Sequence, residues 1–457
     1  MEKISISEIL SATGGKLLSG NTDTVVESVC IDSREIKNNS LFVPIVGERN
    51  DGHDFIKSAF ENGAVVSFVQ SDHKLSDVYG ALVEVESTVS ALQDLAKYYR
   101  KKFSIPFIGV TGSVGKTTTK EMIAAVLSEN LNVLKTQGNY NGQIGLPLTI
   151  FNLNKTHQAV ILEMGVSKIG EMEKLADIAD VDVGVITNIG LSHIENFKEI
   201  ETTCHEKLKM LKKDSGTYFI NGDLPILSKG AEETGKKVIT FGINGAYNYR
   251  CENISPNDFE TNFTLVTDNY KEDIKIPCLG IHNVYNALAA IAIARRMNIH
   301  LEDIKKGLAK FKNIAMRQQI LNINEVIVID DSYNASPDSV KSSIRVLRSL
   351  NSGGKNIVVV ADMLELGERS REIHKELGRY IALEGIDVLI TVGKMAKYIH
   401  EGAEKANQDI KTIHCRSNKE AYKTLKGIVK PCDKVLVKGS RGMHTDEIVG
   451  MMKNEEV

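Results

Sequence analysis

Along most of the chain, short apolar, β-branched runs alternate with stretches whose apolar positions recur at helical spacing. Ala64-Val65-Val66-Ser67-Phe68-Val69 reads as a strand and Ser90-Ala91-Leu92-Gln93-Asp94-Leu95-Ala96-Lys97-Tyr98-Tyr99 as a helix. Residues 107–110, 159–162, 183–188 and 326–330 repeat the strand pattern, and 356–361, 388–393 and 434–438 in the last third read as buried parallel strands. The alternation predicts an α/β architecture, with a doubly wound lobe at the C-terminal end. The most apolar run, 287–294, is far shorter than the ~20 residues that span a bilayer, so no membrane insertion is expected.

Two breaks divide this pattern. Arg100-Lys101-Lys102 leads into Ile105-Pro106, where the pre-proline restriction precedes a fresh strand, and a second change of character comes at Lys312-Asn313-Ile314-Ala315-Met316-Arg317. At ~150 residues per domain a chain of 457 residues predicts three domains, drawn here as 1–103, 104–313 and 314–457. The 56 basic and 59 acidic residues leave a formal charge of −3, which excludes a broadly basic nucleic-acid surface. Glu2 has no apolar export segment behind it, and the six cysteines are scattered without CxxC pairs, so a reducing cytoplasm is the expected compartment.

The strongest chemical signal is Gly112-Ser113-Val114-Gly115-Lys116-Thr117, between the strand at 107–110 and a helix predicted to begin near Thr118. Glycines let backbone N–H groups turn toward phosphates and the helix N-terminus adds its dipole. Lys116 reaches terminal phosphate oxygens, and the Thr117 hydroxyl suits Mg²⁺. The strict pattern wants one more glycine where Val110 stands, yet the mechanics survive its loss. Glu163 closes the strand at 159–162, either as a Mg²⁺ ligand or as a strand-end glutamate facing water. His193 follows the strand at 183–188 and reads either as a group approaching that metal or as a satisfied helix-cap or core histidine.

The loop at 112–117, Leu162-Glu163-Met164-Gly165 and Thr187-Asn188-Ile189-Gly190-Leu191-Ser192-His193 together resemble the Mur ligase family. Further matches are Asp32-Ser33-Arg34, Asp51-Gly52-His53, Gly138-Asn139-Tyr140-Asn141, Gly280-Ile281-His282-Asn283-Val284-Tyr285-Asn286 and Val437-Lys438-Gly439-Ser440-Arg441. Asp330-Asp331-Ser332-Tyr333-Asn334-Ala335-Ser336-Pro337 and Asp362-Met363-Leu364-Glu365-Leu366-Gly367 resemble the subgroup that adds D-alanyl-D-alanine to UDP-N-acetylmuramoyl-tripeptide.

The resemblance implies a small N-terminal UDP-sugar-binding domain, a central P-loop ATPase domain and a Rossmann-like C-terminal domain. It implies an ATP-dependent amide ligase working through an acyl phosphate, cytoplasmic and monomeric, with two Mg²⁺ ions. By resemblance, residues 112–118 (Gly112, Ser113, Val114, Gly115, Lys116, Thr117 and Thr118) hold ATP with Asn286, Arg317, Asp331, Tyr333 and Asn334. Thr117 and Glu163 hold the first ion, and His193 with a carbamylated Lys207 holds the second, although Lys207 also reads as one of a solvated face with Lys209, Lys212 and Lys213. Ser33, Arg34, Gly52, His53, Asn139 and Asn141 are implied at the UDP-linked substrate, and Lys438, Ser440 and Arg441 at the C-terminal edge of the cleft. The family's Asn-Ala-Asn-Pro is Asn334-Ala335-Ser336-Pro337 here, so a shorter side chain stands at position 336. Three rivals remain: a sister ligase adding one amino acid, a folylpolyglutamate synthase-like enzyme, and a nucleotide-sensing scaffold that makes no amide.

Overall fold

The computed structural model describes residues 1–73 and 80–454, so the end of the predicted third domain, 455–457, lies outside the described residues. Among the described residues three sheets carry the fold, together with a two-stranded pair of Ile4–Ser5 and Val25–Val26. A five-stranded sheet spans residues 16–85, a nine-stranded sheet 107–276 and a six-stranded sheet 319–438.

In the nine-stranded sheet, Val133–Lys135, Ala159–Glu163, Phe107–Thr111, Val183–Ile186, Thr217–Asn221 and Val238–Gly242 lie side by side and parallel. Every residue of Phe107–Thr111 and Ala159–Glu163 is buried, because successive side chains serve two cores. Phe107, Val160 and Leu162 point into one core with Leu146 and Leu175, while Ile108, Val110 and Ile161 join Ile123, Leu288 and Ile291 in the other. Each such fully buried aliphatic side chain stabilises the fold by about 1.5–3 kcal/mol. The apolar run at 287–294 is the middle of the helix Ile281–Arg296, packed on the helix Lys116–Leu127. Among the described residues no helix is long and apolar enough to cross a membrane.

Two details differ from the sequence reading. The loop helix begins at Lys116, not near Thr118, because Gly115 ends the loop in a left-handed conformation and the lysine is already helical. The nine-stranded sheet also gains an antiparallel edge of Tyr249–Asn257, Glu260–Val266 and Lys271–Ile276, whose first turn passes through Asp258 at φ 52°. Inward and outward positions alternate along Glu260–Val266, as a strand with one solvated face requires.

The third sheet sets Gln319–Ile323 antiparallel to Val326–Asp331. Lys434–Lys438, Asn356–Ala361, Val388–Val392 and Lys411–Cys415 then follow in parallel. Asp331 and Lys438 are register partners at the C-terminal ends of adjacent strands. Ligands of open parallel sheets bind beyond such ends. Here the ends of the middle and third sheets meet across one cleft.

Candidate active site

The cleft, of about 460 Å³, is lined from the middle lobe by residues 113–118, Asn139, Asn141, Glu163, His193 and Asn286, and from the far side by Arg317, Asp331, Tyr333, Asn334, Ser336 and Lys438. Gly112 (φ 151°) and Gly115 (φ 87°) adopt backbone conformations that L side chains rarely enter, and a Cβ at Gly112 would strike Thr187 Oγ1. Ser113 N donates to Asn188 O (2.9 Å), Gly190 N to Ser113 Oγ (2.9 Å) and Thr187 Oγ1 to Val114 O (2.6 Å), so the loop is pinned to the neighbouring strand end. Lys116 Nζ donates to Gly112 O (2.7 Å), folding the cation over the loop's own carbonyl. Burial lowers its pKa; Glu163 opposes that shift and Arg317 adds to it. Asn286 braces the loop helix: its Oδ1 accepts from Thr119 Oγ1 (3.0 Å) and its Nδ2 donates to Asn283 Oδ1 (3.1 Å).

Glu163 is buried at the end of its strand beside Thr117. Its Oε1 accepts from Asn141 Nδ2 (2.8 Å), whereas Oε2 has no hydrogen-bond partner among the described residues, although Lys120 Nζ lies 3.7 Å away. An orphaned buried carboxylate oxygen that lines the same cleft as a threonine hydroxyl and a phosphate loop offers the hard-oxygen donor set that Mg²⁺ takes. The residues therefore fit the ion. His193 joins the same wall from a left-handed φ of 58°, with Nδ1 2.7 Å from Glu365 Oε2 of the third lobe.

Lys207 does not line the cleft. It sits near the end of the helix Ile200–Leu208, 2% exposed, with no carboxylate within ion-pair distance among the described residues. Desolvation, reinforced by the charge of Lys116, pushes its pKa down to about 7, against the smaller pull of Glu206 and Cys204. A substantial neutral fraction at physiological pH makes this amine a nucleophile, unlike an ordinary surface lysine. Of the neighbouring lysines, Lys209, Lys212 and Lys213 all pair with carboxylates.

Across the cleft the charges are satisfied. Lys438 Nζ lies 2.5 Å from Asp331 Oδ2 and donates to Asn334 O (3.0 Å), while Ser343 Oγ and Gln318 N also donate to Asp331. Arg317 stacks its guanidinium 4.0 Å over the Tyr333 ring, between Met316 and Gln318, both at positive φ. Ser336 sits where the helix Pro337–Ser349 begins, its N donating to Ser339 Oγ (2.9 Å). Ser440 and Arg441 do not line the cleft. Ser440 Oγ accepts from Leu364 N (2.9 Å), and Arg441 is an exposed partner of Asp446.

Four further predicted residues, Ser33, Arg34, Gly52 and His53, lie in the first lobe and outside this cleft. Arg34 turns its fork onto its own Asp32 (2.9 and 2.6 Å) with the side chain 86% exposed. Ser33 is buried, its carbonyl accepting from Asn62 Nδ2 (2.9 Å). His53 is fixed at both nitrogens: Nδ1 contacts Asp51 Oδ1 (2.6 Å) and Nε2 accepts from Gln70 N (3.1 Å). The His73 ring stacks on it at 3.8 Å with planes 14° apart, and Asp51, His53 and His73 each bring one ligand atom to within 4.8 Å of the others, close enough to hold a metal ion.

Two residues of this region escape sequence reasoning. Lys120, one turn after Lys116, is fully buried and donates to Thr136 O (2.7 Å), with Glu121 3.1 Å away. Nothing in Thr117-Thr118-Thr119-Lys120 separates it from a solvated lysine. Glu365 belongs to a motif quoted above, but its contact with His193 exists only where two lobes meet.

Three segments match descriptions of this architecture: Mur ligase family, catalytic domain (25–100), Mur ligase middle domain (110–294) and Mur ligase, glutamate ligase domain (316–441). The chain belongs to the Mur ligase family. Within that class it is similar to UDP-N-acetylmuramoyl-tripeptide–D-alanyl-D-alanine ligase of Bacillus subtilis, with 37% identity over 453 residues covering 98% of each chain. The enzyme of the same name from Escherichia coli is 30% identical, again over 98% of each chain. Among solved structures, MurF from Acinetobacter baumannii superposes with a TM-score of 0.92 at 29% identity over 99% of both chains. MurF ligase from Thermotoga maritima in complex with ADP gives 0.84 at 30% identity, covering 94% of this chain and 97% of that one.

Proposed function

We propose that this protein is an ATP-dependent ligase joining D-alanyl-D-alanine to UDP-N-acetylmuramoyl-tripeptide. The observation that carries the reading is the pairing of a phosphate loop with two unsatisfied buried groups, Glu163 Oε2 and Lys207, beside a cleft closed by a third lobe. Likeness over nearly the whole chain to ligases of that name supports it. In this reading residues 1–103 hold the UDP-linked substrate through Ser33, Arg34, Gly52 and His53, with Asn139 and Asn141 at its far end. Residues 104–313 hold ATP, and 314–457 close over it with Arg317, Asp331, Tyr333 and Asn334. Lys438 holds Asp331 at the C-terminal edge of the cleft, with Ser440 and Arg441 just behind it.

The tripeptide's terminal carboxylate attacks the γ-phosphorus of ATP. The bond to the bridging oxygen breaks, ADP leaves and an acyl phosphate forms. The dipeptide amine then attacks the acyl carbon, loses a proton, and phosphate departs as the amide forms. Lys116 swings from the loop carbonyl to the transferring phosphoryl group, where its charge matters most. Thr117 and Glu163 would hold one Mg²⁺ ion, and His193 with carbamylated Lys207 a second; when bound, the ions would neutralise the charge that builds up in phosphoryl transfer. The lowered pKa of Lys207 favours that modification, because only the neutral amine attacks CO₂. Closure by the third lobe keeps water from the acyl phosphate. Six free cysteines suit the cytoplasm.

The test is phosphate release with amide product by mass spectrometry, using ATP, Mg²⁺ and UDP-muramyl-tripeptide in lysine and diaminopimelate forms, with and without D-alanyl-D-alanine. Dipeptide-dependent amide is the expected result. Turnover driven by a free amino acid, or nucleotide binding without amide, contradicts it.

A further inference from the structure

The segment after Val183–Ile186 is held by two lobes at once. Ser113 of the phosphate loop fixes its start through Gly190 N. Beyond that point two of its apolar residues pack into the third lobe: Ile194 is buried in that lobe's core with Met363 and Leu366, and Leu191 packs against it, while Phe197 returns to the core that holds Ile186 and Leu208. Glu195 N donates to Glu365 O (3.1 Å), and Gly367 backs so closely on Glu195 that a Cβ there would come 3.3 Å from its Cα. His193 sits in the middle of this clamp at a positive φ that an L residue holds only with support from its surroundings. Its Nδ1 lies 2.7 Å from Glu365 Oε2, at ion-pair distance but off hydrogen-bond geometry, no hydrogen bond to Nε2 is found among the described residues, and the ring lines the cleft.

We propose that Glu365 is a positioning residue for His193, a third-lobe carboxylate that holds the imidazole by Nδ1 and leaves Nε2 for a divalent ion in the middle-lobe cleft. Histidines that ligate metals generally engage a carboxylate or carbonyl through the other nitrogen, which fixes tautomer and ring orientation. Here that partner comes from a different lobe, so seating the third lobe and completing the ion site are one event. This rests on the reading of His193 as an ion ligand. The Glu365 side chain is half exposed, so the contact adds little to fold stability and acts on orientation.

The experiment is a titration of Mn²⁺ into the full-length protein saturated with ADP, with unbound Mn²⁺ read by electron paramagnetic resonance. Glu365→Ala weakens Mn²⁺ binding about tenfold at an unchanged melting temperature, and Glu365→Asp restores part of the loss. In a His193→Ala background, Glu365→Ala has no further effect. Glu365→Gln serves if the alanine variant folds poorly, with the same comparison. Unchanged affinity in the single variants, or an undiminished loss when His193 is already absent, overturns the proposal. Titration needs no turnover, so a wild type that binds Mn²⁺ this way yet fails to ligate contradicts the functional reading and leaves the role of Glu365 standing.

Discussion

Lys207 in the middle lobe and Lys438 in the third are equally buried, each 2% exposed, and their surroundings are opposite. Lys438 has Asp331 at 2.5 Å and a backbone carbonyl at 3.0 Å, while Lys207 has no carboxylate within ion-pair distance among the described residues and a pKa pushed down to about 7. The same asymmetry runs through both walls of the cleft. Glu163 leaves an oxygen unsatisfied, whereas Asp331 is met by Lys438, Ser343 and Gln318. Buried charge left without an ion-pair partner, as at Lys207, or short of a hydrogen bond, as at Glu163 with Lys120 3.7 Å away, is costly, so a fold retains it where a ligand or modification completes it. The middle lobe is poised for chemistry, and the third lobe presents a finished surface that closes over it.

The substitutions that break this contrast most strongly fall on the unpaired side. Lys207→Ala lowers amide formation about 10³-fold, and added formate or acetate restores part by supplying a carboxylate, read as product per enzyme by mass spectrometry. Full activity in that variant sinks the carbamate. Glu163→Gln follows, with a loss of about 10²-fold and a raised Mg²⁺ requirement in steady-state titrations. On the paired side the effect moves from activity to stability. Lys438→Met leaves Asp331 buried without its cation and destabilises by about 3 kcal/mol in urea unfolding, whereas Lys207→Met removes an unpaired ammonium and does not destabilise.

The smallest effect belongs to the first lobe, where His73 contacts Asp51 and Asp72 at 2.8 and 2.7 Å. Hydrogen bonds to Asp51 and Asp72 raise the His73 pKa above its ordinary 6.5. The stabilisation is complete below the unfolded value and is lost as pH rises through the folded one. From about pH 6 to about pH 8 the wild-type melting temperature therefore falls relative to that of His73→Gln.

Much of this molecule is legible in the sequence because contiguous residues encode it. Strand, glycine loop and helix over 107–127 form one local unit, and the apolar strands at 159–163, 183–186 and 434–438 announce parallel sheets. The C-terminal ends of the middle and third sheets bring Glu163, His193, Asp331 and Lys438 to one cleft. What is not legible depends on pairings between distant segments. A lysine-rich helix end does not reveal that Lys209, Lys212 and Lys213 find carboxylates while Lys207 is buried without one. Nor does the strand at 249–257 disclose that it turns back into an antiparallel edge, since its burial alternates irregularly. Arg34 carries a donor fork suited to a pyrophosphate, yet the fork rests on Asp32 two residues away.

The most direct test of the contrast is ¹³C nuclear magnetic resonance of the full-length protein equilibrated with ¹³C-bicarbonate near neutral pH. A carbamate carbonyl signal present in the wild type, retained in Lys438→Met and absent in Lys207→Ala is the predicted result. A spectrum without that signal in the wild type, or with the same signal in Lys207→Ala, contradicts the claim that the unpaired lysine of the middle lobe is the group that takes up CO₂.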